Sequence, residues 1–262
     1  RTKKFLFFNL YPKAEPGSEV IVPKKSLKNP IATHDVNATG TLNVLEAARS
    51  NGAHVIFSSS SSVYGRNDQL PKDESMWLSP LTPYAASKLA AEGYVQAYGA
   101  AYEVPVTLLR FFNVFGPKQR PDHEYAAVLP KWIWLAMQGK PIDVYGDGTA
   151  SRDFTYVETV VDIAMTAMKE KVLTDGAMNL AYGNRIFLND TIEMLKKHFP
   201  NLQVNYKENR LGDVKESQNS PSLLKELFPA ITPKPFEEAL AETVVWLKDF
   251  GQSVANGPKT VD

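Results

Sequence analysis

The chain of 262 residues contains no cysteine. This absence excludes disulfide bonds, catalysis by a thiolate and metal sites with cysteine ligands. Histidine is also scarce, and the four that occur do not form a cluster with ligand spacing. The sequence therefore gives no support for a bound metal.

The sequence also lacks a charge excess and a long apolar run. Lys plus Arg and Asp plus Glu are both 29, so no broad basic surface predicts nucleic-acid binding. No apolar stretch approaches the roughly 18 residues that can span a bilayer. The stretch Phe5–Phe8 is too short for the core of a signal peptide. We expect a soluble, cytoplasmic protein with no membrane partner.

What the sequence does contain is an alternation of short apolar runs with amphipathic stretches. Such alternation predicts an α/β fold with a parallel, doubly wound sheet. The predicted strands are 3–8, 17–22, 54–57, 105–112, 142–145, 177–180 and 204–206. The predicted helices are 30–49, 84–99, 127–138, 157–168, one capped by Asn189 that runs to 198, 220–228 and 236–250.

Tyr84 and Lys88 are four residues apart on a predicted helix, with Thr82 as its N-cap and Pro83 in its first turn. Residues at this spacing share one helix face. A neighbouring ammonium favours the ionised form of a phenol, which makes Tyr84 a candidate general base. Taken alone, the spacing is weak evidence, and an ordinary surface Tyr/Lys pair on a helix is the favoured interpretation.

A cluster of serines strengthens the catalytic interpretation. Ser58–Ser62 follow the predicted strand 54–57, and small hydroxyl residues at the carboxyl end of such a strand lie where open α/β sheets bind ligands. Five blocks then follow in order: SSSSSVYG, SPLTPYAASK, LLRFFNVFGP, VYGDG and SRDFTYV. Together they resemble the extended short-chain dehydrogenase/reductase family, and the UDP-hexose 4-epimerases within it. The resemblance covers roughly residues 23–250.

The resemblance implies a Rossmann-like cofactor domain over 1–115 and a smaller α/β substrate domain over 116–262. Within the second range, about 155–181 is expected to pack on the first domain. The family's first strand leads into a glycine-rich turn that approaches the cofactor pyrophosphate. Residues 9–19 contain one glycine and no such turn. The Rossmann-like portion is therefore N-terminally incomplete.

Three explanations fit the missing turn. The protein has lost this portion by deletion, the chain is a fragment, or the sequence joins some segments of a protein and omits others. The third is favoured, because residues 1–8 fit the first strand and the later blocks match well.

The resemblance also implies roles for individual residues. NAD would take a hydride from C4 of a UDP-sugar while Tyr84 takes the hydroxyl proton. Lys88 would assist Tyr84 and hold the nicotinamide ribose, and Ser60 would be the proton bridge. Asn37, Ser58 and Phe112 would contact the cofactor, although outside its motif Asn37 would be an ordinary solvent-facing helical residue. The predicted substrate contacts are Asn113, Tyr145, Arg152, Arg210, Asp213, Ser60 and Ser217.

Related dehydratases carry Thr-Asp-Glu where this chain has Ser60, Ser61 and Ser62. Without the acidic pair, nothing there protonates a leaving hydroxyl, so the sequence disfavours 4,6-dehydration. Ser217 matches a position beside the C2 substituent of the sugar. Because serine is small, we expect N-acetylated UDP-hexoses to be accepted as well as UDP-glucose and UDP-galactose.

Two other functions stay open. One is a UDP-glucuronate epimerase or decarboxylase, and the other is a UDP-sugar-binding remnant without turnover. The family further implies a homodimer through the helices 31–49 and 84–98. Ala86, Ala90, Gly93 and Ala97 would line that face, unless the same face packs on the sheet of its own domain.

Overall fold

The computed structural model describes residues 5–8, 23–121, 126–209 and 215–255. They divide into two compact units. Unit 1 falls within Arg1–Phe112, Val161–Tyr182 and Asn219–Ile231, and unit 2 within Asn113–Val160, Gly183–Gln218 and Thr232–Asp262. The expected strand 17–22 lies outside the described residues.

The strands, in chain order, are β1 (Phe5–Phe8), β2 (His54–Ser60), β3 (Val106–Phe111), β4 (Val114–Phe115), β5 (Ile142–Tyr145), β6 (Ser151–Arg152), β7 (Thr155–Tyr156), β8 (Ala177–Leu180), β9 (Ile186–Phe187) and β10 (Val204–Lys207). The helices are α1 (Pro23–Lys28), α2 (Pro30–His34), α3 (Gly40–Asn51), α4 (Pro83–Tyr102), α5 (Val128–Met137), α6 (Val157–Glu170), α7 (Leu188–His198), α8 (Ser222–Leu227) and α9 (Phe236–Ala255).

Unit 1 is built on a parallel sheet with strand order β1-β2-β3-β8. In register, Phe57 of β2 lies opposite Leu108 of β3. Both side chains are buried, and they pack in one cluster with Leu45 of α3 and Val95 of α4. Burying such a side chain stabilises the fold by about 1.5–3 kcal/mol. The parallel strands with intervening helices confirm the predicted α/β class.

Helix α4 begins as predicted and ends later than predicted. The Thr82 hydroxyl accepts a hydrogen bond from the Ala85 backbone N–H at 3.2 Å, and Pro83 occupies the first turn. The expected end near Gly99 is wrong, because the helix continues to Tyr102. A Cβ at Gly99 would lie 3.1 Å from Cγ2 of Val106. This glycine thus permits close approach of the helix to β3 rather than ending the helix.

The predicted helix 30–49 is interrupted. Asn29 caps α2, since its side chain accepts from the Ala32 N–H at 3.1 Å. The chain then widens into a π-helical turn over Asp35–Thr39 before α3 continues to Asn51. Gly52 ends α3 with a φ of 62°, the left-handed conformation that the Asn-Gly stop predicts. Such π-helical turns are frequent at functional sites, and this one contains Asn37.

The described residues of unit 2 form three two-stranded sheets: β5 with β10 and β4 with β7, both parallel, and the antiparallel pair β6 with β9. Its core includes Trp132, Ile142, Leu195 and Leu240. Asn189 was expected to cap α7, but the helix begins at Leu188 with Phe187 at the cap position. Asn189 instead donates to the carbonyl of Asp147 at 3.1 Å.

None of the described helices is both long and apolar enough to cross a bilayer.

Candidate active site

The serine cluster lies at the carboxyl end of β2 in unit 1. Ser58, Ser59 and Ser60 are the last residues of the strand, and a short 3-10 turn, Ser61–Tyr64, follows directly. The Ser60 hydroxyl oxygen accepts from the backbone N–H of Ser62 at 3.2 Å and from its hydroxyl at 2.9 Å. Ser60 is partly exposed, so its hydroxyl group is placed at the ligand-facing end of a parallel strand.

Lys88 reaches the same strand end from α4. Its side chain is buried, and its Nζ donates to the carbonyl oxygen of Ser58 at 3.0 Å and lies 5.2 Å from the centre of the Phe57 ring. Burial lowers the pKa of Lys88 to about 8, while the negative charge of Glu92 acts in the opposite direction. Helix α4 therefore positions a buried cation beside the serine cluster.

Tyr84 lies one turn before Lys88 and is partly exposed. The Ser87 hydroxyl donates to the carbonyl oxygen of Tyr84 at 2.8 Å and accepts from Nδ2 of Asn37 at 2.9 Å. The Thr41 hydroxyl donates to the carbonyl oxygen of Asn37 at 2.6 Å. Asn37 is therefore buried and not solvent-facing, and its side-chain amide links the π-helical turn to Ser87 of α4.

Phe112, expected beside the nicotinamide, is 1% exposed. Its ring packs in a buried cluster with Val63, Tyr64 and Ala181, and its centre is 6.3 Å from that of Tyr64. In this structure the Phe112 side chain supports the turn after Ser60 from within the core.

Unit 2 contains a cavity of about 560 Å³ lined by two predicted substrate residues, Tyr145 and Arg152. Arg152 Nη1 donates to the carbonyl oxygens of Ser151 at 2.8 Å and Lys215 at 3.3 Å. Lys215 also lines the cavity, together with Asn209. The carboxylates of Asp143 and Asp147 line the same cavity. The aromatic ring suits a planar base, and the two cations are donors of the kind that phosphate oxygens accept. Sequence reasoning missed Lys215 and Asn209, which belong to no recognised motif.

Two more predicted residues contact one another in unit 2. Asn113 Nδ2 donates to the carbonyl oxygen of Asp153 at 3.0 Å and to the Ser217 hydroxyl at 3.3 Å. Asn113 has a φ of 38°, in the left-handed region that asparagine tolerates better than most residues. The Ser217 backbone N–H donates to the carbonyl oxygen of Ser151 at 3.1 Å, which places Ser217 beside Arg152. Arg210 and Asp213 lie outside the described residues.

Comparison with known proteins decides the family. Residues 18–181 match the NAD dependent epimerase/dehydratase family. The chain belongs to this family. The Rossmann-like fold expected from the sequence is thereby confirmed, and NAD is the cofactor on which this epimerase/dehydratase family depends.

Among the similar proteins are several that are named as UDP-sugar 4-epimerases. The chain is 33% identical to a probable UDP-glucuronate 4-epimerase of Rhizobium meliloti over 84% of its own length and 70% of the relative's. It superposes with a TM-score of 0.86 and 32% identity on the UDP-N-acetylglucosamine 4-epimerase of Methanobrevibacter ruminantium, covering 96% of this chain and 78% of that one. On the UDP-glucuronic acid 4-epimerase of Bacillus cereus it superposes with a TM-score of 0.79 and 26% identity, covering 88% of this chain and 73% of that one.

The residues of unit 1 fit the nicotinamide end of NAD. The buried Lys88 ammonium and the partly exposed Ser60 provide a cation and a hydroxyl group at the end of β2, and Tyr84 lies one helical turn from Lys88, which suits a ribose and a reacting carbinol. For the pyrophosphate, the sequence offers no glycine-rich turn after β1. Among the described residues, no group of three His, Asp or Glu side chains could hold a metal ion.

Proposed function

We propose that this protein epimerises UDP-hexoses at C4 through a 4-keto intermediate, with NAD as the hydride carrier. The observation that carries the proposal is the buried Lys88 ammonium on the Ser58 carbonyl oxygen, one helical turn from Tyr84. A cation at this position favours a phenolate on the same helix face. Ser60 at the end of β2 supplies the hydroxyl group that links base and substrate.

In the proposed reaction, the O–H bond at C4 breaks and its proton passes, by way of the Ser60 hydroxyl, to the Tyr84 phenolate. Bound NAD would supply the acceptor, and then the donor, of the hydride at C4. The resulting 4-keto sugar turns over, so the returning hydride reaches the opposite face. Tyr84 gives the proton back to the C4 oxygen, and the net change is inversion at C4 with no loss of atoms.

Unit 2 supplies nucleotide binding in this proposal. Tyr145 would contact the uracil, while Arg152 and Lys215 would contact the diphosphate from the wall of the cavity. Arg210 and Asp213 are proposed from the family motif alone, as a second phosphate contact and a uridine-ribose contact. Asn113 and Ser217 would contact the diphosphate-sugar portion.

The serines that follow Ser60 support epimerisation over dehydration. Ser61 and Ser62 belong to the 3-10 turn and carry no carboxylic acid that could protonate a leaving hydroxyl. Ser217 supports acceptance of an N-acetyl group at C2. A second candidate substrate is UDP-glucuronate, which is favoured by the relatives from Rhizobium meliloti and Bacillus cereus that carry its name.

The test is product formation. The protein, supplied with NAD, is incubated separately with UDP-N-acetylglucosamine, UDP-glucose and UDP-glucuronate, and the C4 epimers are resolved by proton NMR. We expect conversion of both UDP-hexoses. Conversion of UDP-glucuronate alone would favour the second candidate. UDP binding without conversion of any of the three would identify a binding remnant.

We also propose a homodimer through α3 and α4. Ala86, Gly93 and Ala97 are exposed, and the buried face of α4 is a different one that includes Ala91 and Val95. Small exposed residues allow close approach of a second helix pair. We expect Ala97→Arg to shift the sedimentation coefficient from dimer to monomer, while Ala230→Arg, on an exposed loop, leaves it unchanged. A monomeric parent at micromolar concentration would contradict the dimer.

A further inference from the structure

Unit 1 contains a fully buried ion pair that the proposed chemistry does not use. Glu92 of α4 and Arg110 of β3 are 1% and 3% exposed. Arg110 Nη2 donates to Glu92 Oε2 at 2.7 Å, and Arg110 Nε donates to Oε1 at 3.0 Å. Such a bidentate pair has fixed geometry, but a buried pair is weak support for stability in itself. Its contacts point to a different purpose.

The pair holds the chain on both sides of Ser60. Before it, the Ser59 hydroxyl donates to Glu92 Oε1 at 2.5 Å. After it, Arg110 Nη1 donates to the hydroxyl oxygen of Tyr64, the last residue of the 3-10 turn, at 3.0 Å. Side chains alternate along a strand, so Ser59 is held on the face opposite to that of Ser58 and Ser60. The residues on both sides of Ser60 are thus held by the ion pair, while the Ser60 hydroxyl group stays at the ligand-facing end of the strand.

The same carboxylate is also one helical turn from Lys88. Tyr84, Lys88 and Glu92 occupy successive turns of α4, at the spacing that shares one face. On α4 itself, the titratable residues one turn from Lys88 are Tyr84 and Glu92, and Glu92 is paired with Arg110 of β3. The titratable residues of the neighbouring α3 and π-helical turn, Asp35, Glu46 and Arg49, are exposed. Glu92 is therefore the buried negative charge that favours the Lys88 ammonium.

We propose that Glu92, clamped by Arg110, is a positioning residue that fixes Ser60 through Ser59 and keeps Lys88 charged. Glu92 does not touch the reacting atoms and acts through these two neighbours. The inference rests on the proposed function for its kinetic consequences, but the contacts and the charge of Lys88 can be tested without turnover.

The first arm of the test uses matched hydroxyl deletions in the unit 1 sheet. Ser59→Ala removes the bond to Glu92 at the carboxyl end of β2. Thr107→Val removes a buried hydroxyl group on β3. That hydroxyl group contacts His54, at the amino end of β2, at 2.7 Å. We expect Ser59→Ala to lower kcat by about 10- to 100-fold with little change in KM, the loss that small misplacement of a catalytic group causes. Thr107→Val should lower the thermal midpoint and keep kcat.

The second arm measures Lys88 directly. Protein labelled with 13C-lysine is titrated by NMR without substrate, and the Lys88 signal is assigned by its loss in Lys88→Met. We expect Lys88 to titrate near pH 8 in the parent and at lower pH in Glu92→Gln, because the carboxylate that favours the ammonium is gone. The alkaline limb of the kcat–pH profile should move with it. Should the single variant fail to fold, Glu92→Gln with Arg110→Met removes both charges and avoids an unpaired buried guanidinium.

The outcomes separate the two proposals. An unmoved Lys88 titration, or a kcat for Ser59→Ala no lower than that for Thr107→Val, overturns the positioning role. A parent protein that converts no UDP-sugar overturns the proposed function, while the lysine titration still tests the placement of Glu92.

Discussion

At the scale of single residues, the most informative side chain is Lys88. A lysine ammonium loses hydration when it is buried, so it persists there only with compensating contacts. Lys88 has the Ser58 carbonyl oxygen at 3.0 Å and the charge of Glu92 one turn away. Because its pKa is lowered to about 8, the cation is fully present below that pH and is lost as the pH rises through it. We therefore expect activity to decline as the pH rises through about 8, because Lys88 loses its charge there.

Arg152 is the described residue that tests nucleotide binding in unit 2. Its guanidinium lines the cavity and is held by two backbone carbonyl oxygens. We expect Arg152→Ala to weaken UDP binding by about 1.5–3 kcal/mol, the usual range for a hydrogen bond to a charged group. Calorimetry with UDP measures the change. Arg185→Ala is the matched control, because Arg185 pairs with Glu216 at 2.8 Å and is not among the lining residues. Equal affinities in the two variants would place the diphosphate elsewhere.

Ser217 tests which sugars are accepted. The residue is partly buried and its hydroxyl accepts from Asn113, so a larger side chain there would occupy the space beside that amide. We expect Ser217→Tyr to lower turnover of UDP-N-acetylglucosamine by at least about tenfold and to spare UDP-glucose. Ser217→Ala, which keeps the small volume, should convert both. Efficient conversion of the acetylated sugar by Ser217→Tyr would refute this role.

At the scale of elements, the sequence predicts regular structure well wherever one local rule decides it. Thr82 and Pro83 predict the start of α4, and the Asn51-Gly52 stop predicts the end of α3. The strand β5 lies at the predicted residues 142–145. Each of these depends on capping chemistry or apolar pattern within a few residues.

The errors arise where a distant contact decides the outcome. Gly99 does not end α4; it lies inside the helix, where a Cβ would be only 3.1 Å from Cγ2 of Val106. Asn189 does not cap α7, because its amide bonds to Asp147, 42 residues earlier in the chain. The π-helical turn around Asn37 has no local sequence marker, since its hydrogen bond to Ser87 spans 50 residues.

The same distinction applies to the candidate site. Motif spacing predicts Tyr84, Lys88 and Ser60 as site residues, because they match contiguous blocks. It did not identify Glu92 and Arg110, whose pairing joins a helix to a strand. Two features could have indicated them: Arg110 lies within an apolar strand, and Glu92 repeats the four-residue spacing of Tyr84 and Lys88. A charge inside an apolar strand implies a buried partner.

The turn after Ser60 offers a test at this scale. Gly65 has a φ of 52°, and a Cβ there would lie 1.7 Å from the carbonyl oxygen of Ser79. We expect Gly65→Ala to destabilise the protein by more than about 1 kcal/mol in urea unfolding, since neither the conformation nor the space suits a side chain. In Gly176→Ala the new methyl group would meet only Gln96, at 4.0 Å. That control should be neutral or stabilising by about 0.4–1 kcal/mol. Equal stabilities would contradict the proposed constraint at Gly65.

At the scale of the whole molecule, the proposed reaction is divided between the two units. In the proposal, the proton-transfer residues belong to unit 1, at the end of β2 and on α4, and the nucleotide-binding cavity with Tyr145, Arg152 and Lys215 belongs to unit 2. Variants in one unit should therefore affect a different measured quantity from variants in the other. Changes in unit 1 should lower kcat, and changes in unit 2 should weaken UDP binding.

The most direct measurement of the central claim is turnover of Tyr84→Phe beside its affinity for UDP. The substitution removes one hydroxyl group from a partly exposed side chain, so folding should be retained. We expect kcat for C4 epimerisation to fall by about 10²–10⁴-fold, the usual contribution of general acid–base catalysis, while calorimetry gives an unchanged UDP affinity. A Tyr84→Phe protein that epimerises UDP-hexoses as fast as the parent would contradict the account.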